Sequence, residues 1–142
     1  MKKNQNFKII ILYFVILSVF VSLFIGCKST KLQNISLITK NEFSCVYQGI
    51  EHKVIVDFPE VVENSPLIIM LHGYGNSASS FRSTTGFEKL ATSQGYTVVW
   101  VNGSKNPKVR TSLPEWNSGI GLNKNDDVGF LVSVVEYFQT NY

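Results

Sequence analysis

The sequence contains few of the residues that build metal clusters, disulfide frameworks or nucleic-acid surfaces. Its 142 residues include two cysteines and two histidines, so we expect no metal site, no cofactor and no disulfide scaffold within the chain. Charged residues make up 16% of the chain, and Lys and Arg form no cluster, which argues against nucleic-acid binding. The length suffices for one domain but falls short of the roughly 200 residues that an α/β enzyme sheet usually needs.

The first 27 residues have the pattern of a membrane-targeting segment. Lys2, Lys3 and Lys8 precede the apolar run Ile9–Ile25, which is short for a membrane span. The following Gly26-Cys27 junction resembles a bacterial lipobox, which implies lipidation at Cys27. We therefore divide the chain into a lipoprotein signal peptide (1–26), a polar tether (27–40) and a folded part (41–142). The alternative is an uncleaved N-terminal anchor, and in both cases the folded part is extracytoplasmic and held at a membrane.

The folded part is organised around Pro66–Gly75, with the sequence PLIIMLHGYG. Its apolar run Leu67–Leu71 predicts a short strand buried on both faces, followed by a tight turn and a helix. One interpretation of the turn is a dinucleotide site of the type G-x-G-x-x-A, but the acidic residue expected about twenty positions later is missing. The second interpretation, which we favour, is a hydrolase turn whose backbone N–H helps to form an oxyanion hole.

The segments before this stretch predict a β-hairpin. Ser44–Tyr47 and Lys53–Phe58 alternate in polarity around Gln48-Gly49-Ile50-Glu51. We interpret Cys45 as a small buried strand residue, the alternative being a disulfide to a cysteine outside this chain. His52 has no acid beside it in the sequence and no nearby nucleophile, so we predict a surface residue rather than a catalytic base.

After the turn, the pattern predicts a βαβ unit and a final helix. Ser77–Ser83 has loop character, and a capping box of Thr85 and Glu88 begins a helix that ends near Gln94. Tyr96–Asn102 is a second buried strand, parallel to the first. The loop Gly103–Asn125 then leads to a helix over Asp127–Asn141. Its predicted buried stripe has i, i+3, i+4 spacing and comprises Val128, Leu131, Val132, Val135 and Phe138.

Several ordered motifs together resemble one branch of the α/β-hydrolases, the secreted polyhydroxybutyrate depolymerases and feruloyl esterases. They are Pro66–Gly75, Trp100-Val101-Asn102, Trp116-Asn117 and Asp126–Leu131. The resemblance implies an α/β fold, the N-terminal part of a hydrolase sheet, and an ester substrate. It also implies an oxyanion-hole N–H at Tyr74. Trp116 and Asn117 are candidate substrate-binding residues, because their loop follows the carboxyl end of a strand.

The catalytic residues of that family are the main departure. The family's nucleophile lies in a G-x-S-x-G motif, which is absent from the 142 residues; Ser104 and Ser118 lack the flanking glycines. We therefore expect an N-terminal fragment of a serine esterase that alone neither hydrolyses esters nor folds stably, with Leu67–His72 as an open sheet edge. The alternative is a non-catalytic surface lipoprotein that uses half of a hydrolase fold as a binding module.

Overall fold

The computed structural model describes residues 30–105, 113–119 and 123–142. The strands are β1 (Gln33–Thr39), β2 (Glu42–Tyr47), β3 (Ile50–Asp57), β4 (Leu67–Leu71) and β5 (Thr97–Val101). The helices are α1 (Ala78–Thr85), α2 (Phe87–Ser93) and α3 (Asp127–Asn141). None of the helices in these described ranges is long and apolar enough to cross a membrane.

The strands form one mixed sheet in the order β1-β2-β3-β5-β4. β4 and β5 are parallel, with Ile69 opposite Val99, and the other neighbouring pairs are antiparallel. This arrangement confirms the predicted α/β class, the hairpin and the parallel βαβ pair. β4 pairs with β5 alone among the described strands, as predicted for an open edge. Its residues are therefore half-buried or exposed, and the prediction that both of its faces are buried was wrong.

The hairpin places Cys45 and His52 in the core, although only the burial of Cys45 was predicted. Its turn residues Gln48 and Gly49 both have positive φ, at 49° and 83°, which matches the twist of a tight hairpin. Cys45 is fully buried and makes no disulfide within the described residues. Burial, helped by the charge of Glu51, raises the pKa of its thiol to about 12. His52, which we predicted at the surface, is instead buried, with 3% of its surface exposed.

The segment predicted as a tether contains a strand. Gln33–Thr39 pairs with β2 as an edge strand whose residues are all exposed. The prediction failed because it rested on the Ser, Thr, Asn and Lys residues of 27–40 and gave no weight to Ile35, Leu37 and Ile38, which an edge strand can carry. Leu32, just before β1, packs against the core.

The helices after the central turn begin earlier than predicted. Ser77–Ser83 is not a loop: Ser77 caps α1, and its side chain accepts a hydrogen bond from the Ser80 amide. Gly86, with φ of 57°, ends α1 and precedes α2, so the predicted capping box at Thr85 does not start a helix. The predicted helix Thr85–Gln94 is thus α2 preceded by the last residue of α1. Leu90, expected on the buried face, is 62% exposed.

Helix α3 has the predicted bounds but a different buried face. The residues it buries are Asp127, Phe130, Ser133, Val134 and Phe138. Val128 and Val132, which belong to the predicted stripe, are instead exposed by 74% and 51%. The sequence of α3 is apolar nearly all round, so its periodicity does not fix which side packs on the sheet.

An ion pair between the buried Asp57 carboxylate and the partly exposed Arg82 guanidinium joins α1 to the sheet. Asp57 of β3 accepts two hydrogen bonds from the Arg82 guanidinium, at 2.6 and 2.7 Å, and a third from the Trp100 indole at 2.9 Å. The Asp57 side chain is 8% exposed. The hydrogen bonds to Asp57 raise the pKa of Arg82 above its ordinary value. This network closes the face of the sheet that α1 and α2 cover.

Candidate functional site

His72 organises the turn that follows β4. It is buried, and its Nδ1 lies 2.8 Å from the carbonyl oxygen of Gly73. Its Nε2 accepts a hydrogen bond from the Gly103 amide at 2.9 Å. The tautomer with hydrogen on Nδ1 satisfies both contacts. His72 therefore ties the carboxyl end of β4 to the carboxyl end of β5, and neither ring nitrogen is available as a general base.

Residues of the segment 113–117 also hold the turn after β4 through hydrogen bonds. The Trp116 indole donates to the carbonyl oxygen of His72 at 2.9 Å, and the Gly75 amide donates to the Pro114 carbonyl oxygen at 2.8 Å. The backbone of Glu115 lies close to Gly103. A Cβ at position 103 would be only 2.5 Å from the Glu115 carbonyl oxygen, so glycine is needed for this close contact. The turn is thus held by hydrogen bonds from two segments distant in sequence, so its backbone groups are fixed before any ligand arrives.

Tyr74 lies at the tip of this clamped turn. Its side chain is 72% exposed. The neighbouring amides of Gly75 and Asn76 donate to carbonyl oxygens, whereas the Tyr74 amide donates to none of the described residues. A fixed amide without an internal acceptor, at the carboxyl edge of parallel strands, can bind a developing oxyanion.

The Asp-Asp-Val-Gly segment at the start of α3 is a structural junction with the hairpin. Asp126 caps the helix by accepting from the Gly129 amide at 2.9 Å, and it accepts from the Tyr47 hydroxyl at 2.9 Å. The Gly129 amide, then the Tyr47 hydroxyl, lower the pKa of Asp126. Asp127 accepts a short hydrogen bond from the Asn117 amide. The motif therefore fixes α3 to β2 and to the loop that carries Trp116.

We expect Gly129→Ala to destabilise the protein by about 2 kcal/mol. Alanine in a helix normally gains about 1 kcal/mol over glycine. Here the added Cβ would lie 2.3 Å from both the Tyr47 hydroxyl and Asp126 Oδ2, so the overpacking and the lost charged hydrogen bond, together about 3 kcal/mol, outweigh that gain. Gly73→Ala is the control for thermal unfolding, because a Cβ there meets nothing within 4 Å. A stabilised Gly129→Ala variant would contradict this packing.

Buried His52 lies beneath the same junction. Its ring stacks on Phe130 with centroids 3.8 Å apart, and its Nδ1 lies 3.1 Å from the carbonyl oxygen of Asn102. Burial lowers the pKa of His52, opposed in part by the Asn102 carbonyl and by the charge of Asp127. His52 therefore acts as a core residue that joins β3, β5 and α3.

Stability should fall as the pH falls below 6.5, the ordinary pKa of histidine. The unfolded chain binds the His52 proton more readily than the folded chain, so this contribution to stability is complete above that pH and decreases below it. His52→Phe keeps the stacked ring and removes the titration. We expect its unfolding temperature to vary less between about pH 7.5 and 5.5 than that of the unsubstituted protein. Parallel pH profiles for the two proteins would contradict this role.

The predicted substrate residues Trp116 and Asn117 lie beside the turn, and each side chain donates one hydrogen bond within the fold. The indole N–H of Trp116 is bonded to His72, and the Asn117 side chain donates to the Asn125 carbonyl oxygen at 2.9 Å. A cleft of about 620 Å³ adjoins the turn instead, lined by Ser77, Pro114, the 102–105 segment and hairpin residues. A second cavity, of about 280 Å³, lies at the amino ends of β4 and β5, away from the turn. Cys27 lies outside the described residues.

No serine–histidine pair occurs among the described residues. Ser104 is buried, and its hydroxyl oxygen accepts from the side chains of Asn125 at 2.6 Å and Asn123 at 3.3 Å. Ser118 is exposed in the loop. In the described part of the chain, no group of three or more His, Cys, Asp or Glu side chains could hold a metal ion.

Sequence reasoning missed the contacts that connect distant segments. Asn102 is one example: its side chain accepts from the Ala78 amide at 2.6 Å and so fixes the start of α1. The position of Asn102 directly after a buried strand could have indicated a structural role for its side chain. Nothing in the sequence indicated that Asp57 would pair with Arg82.

The fold is similar to a solved structure of an alpha-beta serine hydrolase homologue from Coxiella burnetii. The match has 18% sequence identity and a TM-score of 0.48, and it covers 75% of this chain and 49% of that chain. The present chain thus spans about half the length of that protein. No protein-family model and no curated protein matches the sequence.

Proposed function

We propose that this chain supplies the oxyanion-binding part of an extracytoplasmic serine esterase. The observation that carries the proposal is the Tyr74 amide, which has no acceptor among the described residues and lies in a turn at the carboxyl edge of β4. The motifs shared with polyhydroxybutyrate depolymerases and feruloyl esterases favour a carboxylic ester as substrate. The nucleophile, its base and the acid come from residues beyond these 142.

In this proposal the turn stabilises charge and does no proton transfer. When a serine attacks the ester carbonyl, the negative charge develops on the carbonyl oxygen, and the Tyr74 N–H donates a hydrogen bond to it. His72 and Trp116 act as positioning residues, because they hold the turn by its carbonyl oxygens. Preorganisation matters because a fixed donor needs no rearrangement at the moment of reaction.

The open edge of β4 supports the proposal, because it can pair with a further strand. By parallel-sheet geometry, alternate residues of β4 direct their backbone groups towards β5, and Leu67, Ile69 and Leu71 direct theirs outwards. These outward groups have no strand partner among the described residues. A strand leading to the nucleophile would satisfy them.

The DNA downstream of codon 142 tests the esterase proposal. We expect it to encode, in the same or a shifted frame, a short apolar strand followed by G-x-S-x-G. Unrelated sequence at that place would contradict the esterase and leave the alternative, a surface lipoprotein that binds without catalysis.

We also propose that the chain is attached to a membrane by lipidation at Cys27, after cleavage of residues 1–26. Mass spectrometry of the membrane-bound protein should identify a diacylglycerol-modified Cys27 as the new N-terminus. An intact Met1 would reject the cleavage and favour an uncleaved anchor instead.

A further inference from the structure

The edge strand β1 carries an exposed apolar surface that the turn after β4 does not use. Its side chains Ile35, Leu37 and Ile38, here called the β1 patch, are exposed by 40%, 78% and 47%. Asn34 has φ of 49°, and the pairing of β1 with β2 shifts register twice. An irregular edge is a poor template for another strand. The patch therefore suits a partner that contacts side chains rather than backbone.

The chain enters β1 directly from the segment predicted to reach the membrane. The Thr30 carbonyl oxygen accepts a hydrogen bond from the Ser133 hydroxyl of α3 at 2.7 Å, and Leu32 packs against the core. The chain is thus fixed to the domain by residue 30. Cys27 precedes Thr30 by three residues, which span about 10 Å when fully extended. An anchor at or before Cys27 leaves no long linker between bilayer and domain.

The charge of this region complements an anionic surface. Residues 28–41 contain three lysines and no acidic residue; Lys31 lines a small cavity together with Glu136 of α3, which leaves Lys28 and Lys40 to contact anionic lipids. Basic residues close to an anionic bilayer are attracted to its headgroups. Glu42, the next acidic residue, is paired with Lys53 at 3.3 Å. Basic residues beside exposed aliphatic side chains are the composition of an interfacial membrane contact.

We propose that the β1 patch rests on the bilayer to which the leading segment attaches the chain, with the patch in the headgroup region of anionic lipids. This inference rests on the membrane attachment proposed above. It fixes the orientation of the domain, because β1 and β4 are opposite edges of a five-stranded sheet, about 19 Å apart at normal strand spacing. The β4 edge and its turn then face away from the bilayer, towards substrates outside the cell membrane.

Depth-dependent fluorescence quenching tests the proposal on the full chain. The chain is expressed with its leading segment, transferred to nanodiscs of phosphatidylcholine and phosphatidylglycerol, and labelled with the dye NBD at Leu37→Cys. Leu90→Cys on α2 is the matched control, since Leu90 is also a largely exposed leucine, at 62% against 78% for Leu37, and lies outside the patch. Buried Cys45 resists labelling, because its thiol has a pKa of about 12. The unsubstituted chain gives the background from Cys27.

We expect lipids with a headgroup nitroxide to quench the label at position 37 at least about threefold more than the label at position 90. Equal quenching in a membrane-bound chain would overturn the patch and leave the attachment intact. Protection of position 37 from aqueous iodide without lipid quenching would also overturn it, and would indicate a second copy or a protein partner. A chain absent from the nanodisc fraction would overturn the attachment as well. The esterase proposal is unaffected by all three results, because the downstream DNA tests it separately.

Discussion

Arg82→Met should lower the free energy of unfolding by about 2–3 kcal/mol, because the Asp57 carboxylate is buried whereas the Arg82 side chain is 35% exposed. Methionine keeps most of the aliphatic stem but removes the guanidinium that donates two hydrogen bonds to Asp57. The Asp57 carboxylate then stays buried with the Trp100 indole as its remaining donor. Removing one partner leaves a buried charge unpaired and lowers the free energy of unfolding. The loss can exceed the net stabilisation that the intact ion pair provides.

The measurement is thermal unfolding of the longest soluble product that folds, with Glu42→Gln as the matched control, since the 142-residue chain alone is not expected to fold stably. Glu42 forms an ion pair with Lys53, whose side chain is 55% exposed, and such surface pairs contribute about 0–1 kcal/mol. For a domain of this size each kcal/mol shifts the unfolding temperature by about 4–8 °C. If Arg82→Met shifted the unfolding temperature no more than Glu42→Gln, the buried network would not have the role assigned to it.

If the esterase proposal holds, Tyr74→Pro should lower kcat of the longer enzyme that it requires by about 100- to 1000-fold. Proline has no backbone N–H, so the variant loses the proposed oxyanion donor. KM should change little, because the donor binds the charge that develops during the reaction more strongly than the neutral carbonyl. Tyr74→Ala is the matched control: it removes the exposed side chain, keeps the amide, and should retain near-normal kcat.

A second variant separates the lost donor from a distorted turn. Replacing the Tyr74 amide by a backbone ester removes the N–H and leaves the side chain in place. A similar drop in kcat for the ester and the proline variants supports the role of the N–H. Loss of activity in the proline variant alone would mean that the oxyanion donor lies elsewhere and that proline acts by disturbing the turn held by His72.

The parts of the fold that the sequence predicted are those determined by local pattern. The apolar runs of β4 and β5 and the glycine-rich turn between β4 and α1 need no long-range information. The polar alternation of β2 and β3 identified the hairpin in the same way. The carboxyl-edge position of Tyr74 followed from the same strand and turn pattern.

The wrong predictions concern segments whose structure depends on contacts with residues distant in sequence. The α1 sequence ASSFRSTT has low helix propensity, so it resembled a loop. In the fold it is held by the Ser77 cap, by the Arg82–Asp57 pair and by Phe81, whose ring packs edge-on against Trp100 with centroids 5.7 Å apart. None of these partners is adjacent in sequence, apart from the cap.

The buried face of α3 was predicted wrongly for a related reason. Ser133 is polar and was not predicted in the buried face, yet it is buried because its hydroxyl contacts the carbonyl oxygens of Thr30 and Gly129 at 2.7 and 2.8 Å. His52 is buried because Phe130 and Asn102, far away in sequence, offer it a stacked ring and an acceptor. Such satisfied polar groups in a core are invisible to hydrophobic periodicity.

The most direct test of the central claim is ester hydrolysis by the 142-residue chain and by the longer product that we propose the downstream DNA encodes. We predict that the longer product hydrolyses a p-nitrophenyl ester and is labelled by a fluorophosphonate at the serine of its G-x-S-x-G motif, and that the 142-residue chain does neither. Hydrolysis by the 142-residue chain that is abolished by Ser104→Ala or Ser118→Ala would contradict the claim, because it would place the nucleophile within the residues described here.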